Sequence, residues 1–180
     1  MENVSSKTMS IVYCGVFVAL IAICSWISIP MTIPFTLQTF AVCLATALLG
    51  TKRGTVTVIV YILLGLVGVP VFSGFKGGPG ALFGTTGGYI IGFIFTAIIV
   101  GLITDKFGKS VPVLAISMAL GIIVCYVFGT IWFINVYTNT KEPVGIMTAL
   151  SWCVFPYLIP DAVKIALAVF LTKRLDKFVK

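Results

Sequence analysis

From Ser110 to Thr140 the chain runs without a single charged residue, and Ile11 to Ile29 does the same. An α-helix rises 1.5 Å per residue, so about 20 apolar residues cross a hydrocarbon core ~30 Å thick. Runs of this length fold as membrane spans or not at all. Composition agrees: 9% of residues are charged and 59% hydrophobic, with a mean hydropathy of +1.18. A soluble domain carries about 25% charged residues because its surface faces water. With 13% aromatic residues, a disordered or low-complexity chain is excluded as well. The reading is an all-α integral membrane protein, residues 1–180 forming one domain.

Six spans are expected, at about 11–29, 35–50, 54–69, 87–104, 111–136 and 161–175. Pro30 and Pro34 break the chain after the first, and Thr51-Lys52-Arg53 closes the second. Pro70 stops the third, Asp105-Lys106 ends the fourth, and Pro156 and Pro160 interrupt the apolar sequence before the sixth. A short, partly inserted helix is expected before Pro156. The first span lacks a small-x-small cleavage site before Pro30 and is read as retained, not as a signal peptide.

The basic residues orient this bundle. With the N-terminus inside, the inner side holds Lys7, Lys52, Arg53, Lys106, Lys109, Lys173, Arg174, Lys177 and Lys180, and the outer side only Lys76 and Lys141. Nine against two places both termini in the cytoplasm. The net charge of +7 therefore reports topology. It forms no basic arm or aromatic-laced patch, so nucleic acid is not an expected partner; the lipid bilayer is.

Absences exclude chemistry. There is no His, and Glu2, Asp105, Glu142, Asp161 and Asp176 are scattered. Cys14, Cys24, Cys43, Cys125 and Cys153 sit singly in apolar runs without CxxC spacing, and read as packing residues. No metal site is expected. Gly108-Lys109-Ser110 resembles the end of a P-loop, but Ile103 stands where its first glycine belongs and Val111-Pro112 follows. No ATP site is expected.

Two features are left over. Asp161 and Lys164 lie three apart within the last span, on one helix face. An ionisable residue at membrane depth is a functional candidate by default. Asp161 could otherwise cap the helix after Pro160, leaving Lys164 without a reason. The second feature is the outer loop, residues 70–86, in which seven of the fifteen residues from Gly74 to Gly88 are glycine. Phe72, Phe75, Leu82 and Phe83 make it apolar, unlike a flexible linker. It reads as a lid over a cavity. Gly84, Gly88 and Gly92 recur every fourth residue, the spacing of close helix packing. Gly15 and Ala19 in the first span share that spacing.

Four segments, in order, carry a resemblance. They are Pro34-Phe-Thr-Leu-Gln-Thr39, Leu63-Leu-Gly-Leu-Val-Gly-Val-Pro-Val-Phe72, Phe83-Gly-Thr-Thr-Gly-Gly-Tyr89 and Pro160-Asp-x-x-Lys164. With them the chain resembles, over essentially its whole length, the biotin-binding S components of energy-coupling-factor transporters, the BioY family. The resemblance implies an outward-facing biotin pocket capped by loops 30–35 and 70–86, in a bacterial cytoplasmic membrane. It implies a transmembrane T subunit and two ATP-binding-cassette ATPases as partners, and no cofactor, biotin being the transported ligand. The Asp-x-x-Lys motif becomes Asp161 and Lys164, and the capping glycines Gly77, Gly78, Gly87 and Gly88, with Gly74 a further candidate binding residue. Phe72, Phe75, Tyr89 and Trp152 would wall the pocket, with Gln38 beside them. The T-subunit face becomes Gly15, Ala19 and Ala22, less alanine-rich than is usual in the family. Thr85 stands where the family often has proline. Biotin offers two ureido N–H donors, a ureido carbonyl, an apolar ring and chain, and a carboxylate. Asp161 suits the ureido donors, while Lys164 suits either the carboxylate or the ureido carbonyl. The alternatives are an S component for another vitamin, a small polytopic membrane enzyme, or a homo-oligomeric channel. The channel would need a polar stripe through the spans, and none is visible.

Overall fold

The protein is described here by a computed structural model covering residues 6–178. Glu2, Lys180 and the Lys7 side chain lie outside the described residues. In chain order the elements are α1 (Ser6–Trp26), β1 (Ser28–Ile29), β2 (Phe35–Thr36), α2 (Gln38–Leu66), α3 (Pro79–Leu82), α4 (Gly87–Phe107), α5 (Val111–Thr140), α6 (Ile146–Cys153) and α7 (Leu158–Leu175), with a 3-10 turn at Phe155–Tyr157. Five stretches are long and apolar enough to cross a membrane: Thr8–Trp26, Gln38–Leu66, Gly87–Phe107, Val111–Thr140 and Ile146–Leu175.

The second of these is not straight. Gly50 takes φ 78°, ψ 178° inside α2, a left-handed value that glycine adopts without steric cost. A continuous helix would separate Gln38 from Tyr61 by about 35 Å, yet the Gln38 Nε2 donates to the Tyr61 hydroxyl at 2.7 Å. The two arms, 38–49 and 51–66, therefore fold back on each other. Gly54 marks the contact, since a Cβ there would come within 2.7 Å of Thr46 Cα. Thr51-Lys52-Arg53, expected as a connection, begins the second arm; one glycine makes the turn.

Other helix ends also differ from the expected spans. Residues 35–36 pair with 28–29 as a two-stranded hairpin, so α2 starts only at Gln38. Its second arm stops at Leu66, and Gly68 turns with φ 101° ahead of Pro70. The last helix starts at Leu158, with Pro160 in its first turn, where the missing N–H has no helical partner to lose.

The helix α4 packs between α2 and α5, with α1 against α2 and α7 against α2 and α5. Glycine permits the close crossings. A Cβ at Gly88 or Gly92 would strike Trp132 or Cys125 of α5, and one at Gly101 would strike Thr51. Thr46, Thr57, Thr104 and Thr172 are buried and donate to carbonyls one turn back, which satisfies hydroxyls that have no water to bond. On the outside, Ile11, Val16, Ile23, Leu102, Ile116, Ile123, Val127 and Ile131 are exposed, the surface a bilayer accepts and water does not.

One end of the bundle collects charge. The Thr51 backbone N–H and hydroxyl donate to Asp105 at 3.0 and 2.6 Å. Lys109 pairs with Asp176 at 2.6 Å and reaches the Leu48 carbonyl at 3.2 Å. Lys52, Arg53 and Lys106 share a shallow groove there.

Gly54→Ala is expected to cost about 1–3 kcal/mol through the clash with Thr46 backbone. Gly15→Ala meets open space and should be neutral or slightly stabilising. Thermal melts of the two variants in detergent decide the matter. Equal melting temperatures would show that the arms are not held at this contact.

Candidate functional site

At the end opposite the charge cluster lies a cavity of about 520 Å³. Its roof comes from the loop 31–34 and from the outer loop, through Phe72, Ser73, Lys76, Gly77, Gly80, Ala81 and residues 84–86. Its walls are Thr36, Gln38 and Thr39, then Tyr89, Ile90 and Phe93 of α4, Ile122, Cys125 and Tyr126 of α5, and Cys153, Tyr157, Asp161 and Lys164. A mostly apolar cavity with a few convergent polar groups is the usual form of a small-molecule site.

Asp161 and Lys164 sit in the wall, 4% and 6% exposed. Lys164 Nζ donates to Asp161 Oδ1 at 2.7 Å and to the Thr39 hydroxyl at 3.3 Å, and Thr39 donates to the same Oδ1 at 3.3 Å. The Phe35 ring lies 4.1 Å from Nζ, a cation–π contact. Tyr126 donates its hydroxyl to Asp161 Oδ2. Burying two charges costs several kcal/mol each, and only close pairing with further hydrogen bonds repays it. Here Thr39 and Tyr126 supply the hydrogen bonds, and the Phe35 ring covers the ammonium. Asp161 does not act as a helix cap: it lies inside α7, and its oxygens accept only from side chains among the described residues.

A second network ties the roof together. Gln38 accepts from Thr36 at 2.9 Å and donates to Tyr61, whose hydroxyl donates to the Val71 carbonyl at 2.9 Å. Ser25 donates to that carbonyl too, at 2.5 Å. Tyr157 holds the other loop by donating to the Ile33 carbonyl.

Of the residues singled out from sequence, Asp161, Lys164, Phe72, Gly77, Tyr89 and Gln38 come together on the cavity. Gly74, Phe75, Gly78, Gly87, Gly88 and Trp152 do not line it. Phe75 points outward, 65% exposed, and stacks on Trp26 at 5.1 Å. Gly74 and Gly78 supply turns with φ 70° and 86°. Gly87 and Gly88 are packing glycines: a Cβ there would meet the Leu82 carbonyl and Trp132. Trp152 lies against Tyr137 with ring centroids 5.9 Å apart. On α1, Gly15 and Ala19 are exposed, but Ala22 is buried in the core and Ile23 takes its place on the outer face.

Thr39, Tyr126, Tyr157 and Lys76 were missed. Threonine and tyrosine are ordinary in membrane helices, and Lys76 was assigned wholly to topology. Their sequence signal was weak: Thr39 closes the Pro34–Thr39 segment, and Lys76 is the one charge in the glycine-rich loop.

The model of the BioY family matches residues 1–180. The chain belongs to the BioY family. Within it, the chain is 42% identical over 165 residues to the biotin transporter BioY of Thermotoga maritima, covering 91% of this chain and 93% of that one. It is 37% identical over 172 residues to a probable biotin transporter BioY of Pyrococcus horikoshii, covering 95% and 97%. Its fold matches the crystal structure of the S-component for biotin from an ECF-type ABC transporter, with a TM-score of 0.86 and 29% identity over 98% of this chain and 95% of that one. Like these relatives, it is a multi-pass membrane protein.

Lys164→Met leaves Asp161 buried without its counter-charge and is expected to cost about 3–5 kcal/mol. Adding Asp161→Leu should recover much of that loss, since an apolar pair of similar volume needs no partner. Melting of the ligand-free proteins in detergent reads both effects. A single variant that melts like the unsubstituted protein would show that the pair does not hold the wall.

Proposed function

We propose that this chain is the biotin-binding substrate-specificity subunit of a vitamin uptake transporter, and not an enzyme. The observation that carries the reading is the buried Asp161–Lys164 pair, braced by Thr39 and Tyr126 in the wall of a roofed cavity, in a chain of the BioY family. Asp161 contacts the ligand's polar groups, and Lys164 and Thr39 hold the Asp161 carboxylate in place. Phe72, Tyr89 and Phe93 cover its apolar ring and chain, and Gln38 and Gly77 shape the roof around it.

The two arms of α2 each cross the bilayer. With α1, α4, α5 and α7 they make six spans, and both termini lie in the cytoplasm with the Lys109–Asp176 end of the bundle. The cavity then opens outward, in the cytoplasmic membrane of a bacterium. Uptake is energised by a transmembrane T subunit carrying two ATP-binding-cassette ATPases. The lipid-facing strip of α1 at Gly15 and Ala19, flanked by Val16 and Ile23, is flat enough for a partner helix to approach.

The test is direct. Protein purified in detergent without added vitamin should carry biotin, quantified by mass spectrometry, and the stripped form should bind biotin at nanomolar to micromolar concentration. Asp161→Asn should weaken binding at least tenfold, about 1.4 kcal/mol. Binding of another vitamin in place of biotin, or of none at micromolar concentration, overturns the reading.

A further inference from the structure

The described cavity wall carries three charged side chains: Asp161, Lys164 and Lys76. Asp161 and Lys164 neutralise each other at 2.7 Å. One positive charge is left, so the cavity is matched to a ligand bearing one negative charge.

The hydrogen-bond inventory says which lysine meets it. An ammonium has three donors and no acceptor. For Lys164, one donor goes to Asp161, one to Thr39, and the Phe35 ring covers a further side. A carboxylate brought to Lys164 would also approach Asp161, a like charge in a place without water to screen it. Asp161 itself has room for a donor. Of about four lone-pair sites on a carboxylate, Lys164 and Thr39 take two on Oδ1 and Tyr126 one on Oδ2. This end of the cavity is built for a ligand N–H, not for an anion.

Lys76 is built differently. It is exposed at the rim of the cavity, and among the described residues its ammonium has no ion pair or hydrogen-bond partner. Its backbone bonds reciprocally with Phe72, at 2.9 and 3.3 Å, across a turn in which Gly74 and Phe75 take φ 70° and 57°. Residues opposite each other in such a pair project from the same face. Phe72 is buried on the cavity side, and Lys76, on the same face but exposed, lines the cavity at its rim. The backbone is anchored on either side, by Phe75 stacked on Trp26 and by the Gly78 N–H on the Gly65 carbonyl at 2.7 Å.

We propose that Lys76 is the residue that selects a ligand bearing a carboxylate, binding that group at the roof while Asp161 receives an N–H at the far end. This rests on the biotin reading and fixes the direction in which the vitamin lies: ureido ring toward α7, acid tail toward the outer loop. The uncharged tail of biotinamide separates the two ideas.

Biotin and biotinamide are titrated against the unsubstituted protein, Lys76→Met and Lys76→Arg. The unsubstituted protein should prefer biotin at least tenfold. Lys76→Met should lose at least tenfold on biotin and stay within about threefold on biotinamide, and Lys76→Arg should restore the preference. Equal binding of both ligands by the unsubstituted protein overturns the assignment. So does Lys76→Met binding biotin normally, or weakening both ligands alike, which would make the lysine a support of the loop only. Binding of neither ligand by the unsubstituted protein overturns the biotin reading and this one with it.

Discussion

A lysine and an aspartate buried side by side in an apolar bundle are stable only while their hydrogen bonds stay closed. That condition shapes the cavity half of this protein. It requires Thr39 at the start of α2 and Tyr126 in the middle of α5 to converge on α7. Three helices distant in sequence are thus registered by one carboxylate and one ammonium. The cavity is the space this convergence leaves below the roof, and its polarity follows from the same bonds: an acceptor is left open at the bottom, and no cation is.

The roof obeys a similar logic by neutral groups. The Val71 carbonyl accepts from both Ser25 and Tyr61, and Tyr61 accepts from Gln38. This joins α1, both arms of α2 and the outer loop at one point. Tyr157 does the same for the shorter loop through Ile33. Neither loop is free chain over an opening. Each is bonded to the helices whose side chains also form the wall.

Legibility in the sequence followed chemical contrast. Asp161 and Lys164 stood out because charge is rare in an apolar run, and long apolar helices were readable because length against bilayer thickness is a strict test. Glycine was legible as a need for close approach but not as to what approaches. Gly87 and Gly88 suggested contact with a ligand, and the close neighbours are Leu82 and Trp132. Gly50 passed unnoticed beside Lys52 and Arg53, because charge marks the membrane boundary more loudly than a single backbone angle marks a turn. Thr39 and Tyr126 were hidden for another reason. Their partner lies 122 and 35 residues away, and no local pattern encodes that distance. Lys76 had a sufficient topological explanation, which concealed that it also faces the cavity.

The turn at Gly50 has a mechanical consequence. With a one-residue bend there, and Gly108-Lys109-Ser110 alone between α4 and α5, the charged end of the bundle offers almost no slack chain. Asp105 and Asp176 lash those bends to neighbouring helices. A push delivered at that end finds no loop to deform, and is transmitted along stiff rods to the far side, where the two loops close the cavity.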